Sequence, residues 1–167
     1  MKRYRKRKIS RQRMTLYLLF GFYIAVMLYL LFFQRIAVYN NTVGNYFDMI
    51  RSKINMIPFK TIIDYSSKIY PGSGFSDFAF KNLGGNIVLF IPMGIFLPTI
   101  WRKMRKLSRF IIAVCLIISA VELIQLFTLL GSCDIDDLIF NAIGASIGFG
   151  IWKLKPFLKL LHKYKLI

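Results

Sequence analysis

Residues 110–130 read FIIAVCLIISAVELIQLFTLL, residues 131–137 read GSCDIDD, and residues 138–154 read LIFNAIGASIGFGIWKL. Each apolar run is about the length of helix that crosses a hydrocarbon core. Yet the first carries Glu122 and Gln125 one turn apart, and the second opens against Asp134, Asp136 and Asp137. The chain holds 7 acidic residues in all, and 4 of them gather at this one hairpin. A charged side chain at membrane depth costs several kcal/mol, so acids in such a place are functional candidates by default.

The rest of the chain supports a membrane setting. It has 167 residues, 56% of them hydrophobic, a mean hydropathy of +0.53 and a formal net charge of +17. A nucleic-acid binder spreads its basic charge over a hydrated surface, which this apolarity argues against. Basic ends flanking apolar spans fit better. Cys115 and Cys133 are separated by 18 residues. If helical, that is roughly 27 Å, beyond disulfide reach, so both read as packing residues.

The fold class expected is an all-α integral membrane protein with four transmembrane helices, at about 15–33, 84–101, 110–130 and 138–154. Residues 1–14 form a basic N-terminus and 155–167 a basic amphipathic tail, with Leu158, Leu161 and Tyr164 at helical spacing. The first apolar run exceeds a signal-peptide core and lacks a small-x-small cleavage site, so it reads as a retained span. Residues 34–82 are too polar to span and too rich in Ile, Phe and Tyr for a plain linker. There Val43, Phe47, Ile50 and Ile54 recur at helical spacing, and Pro58 is placed to start a second short helix carrying Ile62, Ile63 and Ile69. Short amphipathic helices on an extracytoplasmic loop would bury such stripes in a membrane surface. Pro92 and Pro98 would loosen the second span.

Lys and Arg crowd the N-terminus, the 102–109 loop and the tail, none of which contains an acid, whereas 131–137 contains no base. An even number of spans puts the basic segments on one side, which the positive-inside rule makes cytoplasmic. The tail would then rest on the anionic inner leaflet.

With that topology, Glu122 lies 8 residues inside the outer end of its span, roughly 12 Å deep. Asn86, Gln125 and Asn141 are also in the outer half, and Asp134, Asp137 and Asn141 share a helix face at i, i+3, i+7. The candidate ligand-binding set is therefore Asn86, Glu122, Gln125, Asp134, Asp136, Asp137 and Asn141, around an outward-facing polar pocket. Simpler roles stay open. Glu122 in its neutral form would tie helices together, Asp134 or Asp136 would cap the fourth helix, and Asn86 and Asn141 would bond across helices. No His, Cys pair or Ser–base arrangement accompanies the set, so zinc and triad chemistry find no support. No cofactor is evident. Oxygen ligands of this kind suit Mg²⁺ or Ca²⁺, and Glu122, Asp134 and Asp137 are the candidates if acid/base catalysis occurs. Gly144 and Gly148 form a GxxxG close-packing face, and the solitary His162 carries no assigned role.

Four stretches carry a resemblance to a known family: INMIPFKTI at 54–62, NLGGNIVLFIPMGIFLP at 82–98, VELIQLF at 121–127 and CDIDDLIFNAIGASIG at 133–148. In this order they resemble the VanZ-like family of bacterial membrane proteins, named for a member associated with teicoplanin resistance. Before the DIDD run the family often has an aromatic residue or an arginine, where this chain has Ser132 and Cys133. The resemblance implies a cell-envelope membrane protein that lowers susceptibility to glycopeptide antibiotics. Its ligand would be an envelope lipid, a cell-wall intermediate or the drug itself. An enzyme acting on a lipid-linked or cell-wall substrate and a small transporter are the competing expectations.

Overall fold

A computed structural model describes residues 10–33, 45–60, 63 and 75–167, of which 33 and 75–83 are described by their backbone. Helix α1 runs Arg11–Leu28, capped by the Ser10 hydroxyl, and passes into a π-helical turn at Tyr29–Phe33. Helix α2 is Tyr46–Ser52, capped by the Asn45 side chain, and is followed by a two-residue strand β1 at Ile54–Asn55. Helix α3 spans Phe75–Ile100 and leads through a 3-10 turn at Arg102–Arg105 into α4, Leu107–Phe127. A second short strand, β2 at Cys133–Asp134, precedes α5 at Ile135–Lys153 and the tail helix α6 at Lys155–Lys163.

Among the described residues three helices are long and apolar enough to cross a membrane: Arg11–Phe32, Leu107–Phe127 and Ile135–Lys153. The expected span at 84–101 corresponds to a shorter apolar run, Gly84–Ile100, inside a helix that begins earlier, at Phe75. Hydropathy marks where a helix becomes apolar. Backbone hydrogen bonding sets where it starts, and propagation needs no apolar side chain. The expected third span ends sooner than 130, because Leu129 takes a left-handed φ of 57° and breaks the helix after Phe127. Pro58 sits in a turn, with Phe59 at φ 63°. Ile62 and Ile69, expected on a helix beyond it, and Val43, expected ahead of α2, lie outside the described residues.

Helix α5 lies directly against α3. A Cβ at Gly144 would run into the Ile87 carbonyl, and one at Gly148 into the Ile91 carbonyl. From the other side, a Cβ at Gly94 would run into the Ala145 carbonyl. The GxxxG face is thus spent inside the chain, backbone against backbone. Around this contact Phe90, Met93, Phe110, Val114, Ile118 and Ala145 are fully buried, with the Phe110 and Phe149 rings stacked at 4.5 Å. Helix α1 packs on α3 through Phe20 and Tyr23 on Phe96. Pro92 lacks an amide hydrogen and forgoes one helical bond, yet α3 runs through it unbroken, and the Tyr23 hydroxyl donates to the nearby Leu89 carbonyl at 2.9 Å.

The outward faces are as apolar as the core. Leu18, Phe22, Val88, Ile112, Leu116 and Phe127 are all exposed. Apolar surface on this scale does not suit water, whereas a hydrocarbon surround requires it. The tail helix differs. It buries Leu161, half-buries Phe157 and Leu158, and exposes Lys155, Lys159, Lys163 and Tyr164.

Candidate functional site

The acidic hairpin is assembled by backbone geometry that begins at Asp134. This residue is the N-cap of α5, in extended conformation, and its Oδ1 accepts from the Asp136 amide at 2.9 Å. The same oxygen accepts from Asn55 Nδ2 at 3.2 Å. That second bond exists because β1 and β2 pair in parallel, Ile54 beside Cys133 and Asn55 beside Asp134. Three further contacts clamp the loop onto the hairpin: the Cys133 amide to the Lys53 carbonyl at 2.9 Å, Lys53 Nζ to the Leu129 carbonyl at 2.6 Å, and the Tyr46 hydroxyl to the Phe127 carbonyl at 2.8 Å. The Phe59 amide then donates to Asp136 Oδ1 at 2.6 Å.

Asp136 is 1% exposed, and its side chain anchors the loop rather than standing open. Glu122 reaches up from α4, and its Oε2 accepts from the Asp134 amide at 3.4 Å. Asp137 turns toward α3, where Asn86 Nδ2 donates to its Oδ1 at 2.6 Å with both groups buried. Such a charge-assisted bond is among the stronger polar contacts available to a helix pair. Gln125 is directed elsewhere. Its Nε2 donates to the Leu31 carbonyl at 2.9 Å, one of the carbonyls left over where the first helix ends. It therefore joins α1 to α4.

Asn141 lies one turn beyond Asp137 on the α5 face that meets α3. It is 2% exposed, and its Oδ1 has no hydrogen-bond partner among the described residues. A buried acceptor in that condition carries a desolvation cost of about 1–3 kcal/mol. Cys133 keeps a free, half-buried thiol. Burial first, then the negative charges of Glu122 and Asp134, push that thiol up from its ordinary value. Among the described residues no three of His, Cys, Asp or Glu come close enough together to hold a metal ion.

The candidate residues thus fall into two hydrogen-bonded groups, Glu122–Asp134–Asp136 and Asn86–Asp137, with Asn141 one turn below Asp137, while Gln125 serves the α1 junction. Asn55, Lys53 and Tyr46 were not singled out by the sequence. Asn55 lies within the INMIPFKTI stretch, and a polar residue amid that apolar run was the available signal. Because Asp134 is both cap and partner of Asn55, Asp134→Ala should destabilise the protein by about 1–2 kcal/mol, while Asp134→Asn should recover most of the loss. Thermal unfolding in detergent measures both, and equal losses from the two substitutions would remove the cap from the account.

A helical bundle with membrane-length apolar helices and buried polar groups gathered near one hairpin defines a membrane-type protein with a polar interior cluster. The family model of VanZ/LLP1 matches residues 20–158, and the chain belongs to that family. It is similar to Protein VanZ of Enterococcus faecium, with 32% identity over 76 residues, covering 45% of this chain and 46% of that protein. The match therefore spans about half the length of that relative. No solved structure matches.

Proposed function

We propose that the chain is a multi-pass cell-membrane protein with four spans and cytoplasmic termini. Its acidic hairpin binds a donor-rich envelope ligand and so lowers susceptibility to glycopeptides such as teicoplanin. The topology rests on the three basic, acid-free segments and on the apolar run Gly84–Ile100 as the fourth crossing. Family membership supports the envelope role, and the similarity to Protein VanZ points in the same direction.

The observation that carries the ligand reading is the buried Asn141 Oδ1 with no described donor, one turn from Asp137. A cluster made of carboxylates and a buried amide oxygen with no described donor accepts hydrogen bonds. The ligands it suits present hydroxyl or amino groups: an amine-bearing lipid headgroup, an amino-sugar cell-wall intermediate or the drug.

Asn141→Leu separates binding from folding. Leucine has nearly the same shape and removes the orphaned acceptor, so the protein should insert normally and its Tm should hold or rise. In a susceptible host the teicoplanin tolerance conferred by the parent should fall to that of the empty vector. Glu122→Gln should do the same. Undiminished protection by a well-expressed Asn141→Leu protein would end the ligand reading.

A further inference from the structure

At the far end of the bundle from the acidic hairpin lies a second polar feature, and it is basic. Asn86 and Ile100 are 14 residues apart on α3, about 21 Å. Around Ile100 a cavity of about 330 Å³ opens between the start of α1, the end of α3, the 3-10 turn and the end of the chain. Arg13 and Tyr17 come from successive turns of α1, Arg102 and Arg105 from the 3-10 turn, and Leu16 and Leu166 supply apolar wall. Among the described residues no Asp or Glu lines it; Ile167, which carries the terminal carboxylate, is the one source of negative charge in the wall.

Arg105 is held in place. Its Nε donates to the Pro98 carbonyl at 3.0 Å, and its guanidinium lies 6.0 Å from the centre of the Trp152 ring. One donor is spent on Pro98, and the terminal N–H groups of the planar fork remain for a planar or tetrahedral anion. Among the described residues, Arg13 and Arg102 meet no carboxylate within ion-pair distance. Burial first, and then the positive charges of Arg102 and Arg13, hold Arg105 below the usual arginine range. The three cations therefore feel one another, and a bound anion would relieve that repulsion.

We infer that Arg13, Arg102 and Arg105 form a binding site for an anionic phosphate group, with the headgroup of an anionic phospholipid as its occupant. Basic pockets between helices on the cytoplasmic face take such headgroups, and the apolar wall suits the glycerol and the start of an acyl chain. The lipid source rests on the membrane topology proposed above; the phosphate chemistry does not. Nor does either involve the acidic hairpin, so failure of the Asn141 experiment leaves this site untouched.

The test is native mass spectrometry of the full chain in mild detergent, titrated with phosphatidylglycerol or with phosphatidylcholine. The parent should retain one phosphatidylglycerol and discriminate against phosphatidylcholine. Arg13→Gln combined with Arg102→Gln should weaken retention at least about tenfold, since two charge-assisted contacts are lost. Lys155→Gln combined with Lys159→Gln removes the same charge from the exposed face of α6 and should change little. A parallel melt with inorganic phosphate separates the sources. If phosphate alone stabilises the parent but not the Arg13/Arg102 variant, and displaces the lipid, the site stands and its occupant is a soluble phosphate. Equal loss of phosphatidylglycerol in both double variants would mean diffuse attraction, and no loss in either would mean no site. Each of those results overturns the inference.

Discussion

Gly148→Ala should be among the most damaging single-methyl changes in this chain, lowering unfolding stability by about 3 kcal/mol. The added Cβ would be driven into the Ile91 carbonyl of α3, and backbone cannot rotate away as a side chain can. The two helices must separate, and overpacking of this kind costs about 1–3 kcal/mol, with rigid neighbours at the upper end. Gly144→Ala against the Ile87 carbonyl, and Gly94→Ala against the Ala145 carbonyl, should behave alike. Gly150 supplies the control: it is on the same helix, with no atom of the described residues within 4 Å of its would-be Cβ. There alanine should be neutral or stabilising by up to about 1 kcal/mol, through helix propensity. Unfolding by denaturing detergent, following tryptophan fluorescence, gives all four values. Similar losses at Gly148 and Gly150 would show that α3 and α5 are not in backbone contact.

The second large effect is expected at the Asn86–Asp137 pair. Removing either partner leaves the other buried and short of a hydrogen bond, so Asn86→Ala and Asp137→Ala should each cost about 2–3 kcal/mol. The double variant should cost less than the sum, with a coupling of about 1.5–3 kcal/mol. A cycle is the right instrument because Asp137 has further interactions, and single losses would mix them with this bond. A coupling below about 0.5 kcal/mol would mean that the 2.6 Å contact does not hold α3 to α5.

Much of this architecture was legible residue by residue. The apolar runs at 15–33, 110–130 and 138–154 each overlap a helix long enough to cross a membrane, because hydrophobicity along a helix is a local, additive property. Asp134 was a visible cap candidate, since capping involves only the next two or three residues. Gly144 and Gly148 announced close packing, though not the identity of the neighbour. The apolar run of α3 was legible from Gly84 onward, but not the helical turns ahead of it, where SDFAFKN is helical without being apolar.

What stayed hidden joins residues distant in the chain. Asn55 reaches Asp134 across 79 positions, and Gln125 reaches Leu31 across 94. Nothing in local propensity specifies a parallel strand pair only two residues long, because its hydrogen bonds form only after the hairpin is built. Arg13 likewise meets Arg102 and Arg105 only when α1 packs beside α3.

The sequence by itself determined which segments are helical and apolar, where charge is tolerated, and that acids concentrate at one hairpin, since each depends on near neighbours and on the solvent a side chain prefers. Tertiary structure alone decided which acids are used as fastenings and which acceptor is left over. That allocation depends on distances between separate elements, and hydrogen bonds are short and directional enough that no one-dimensional pattern contains them.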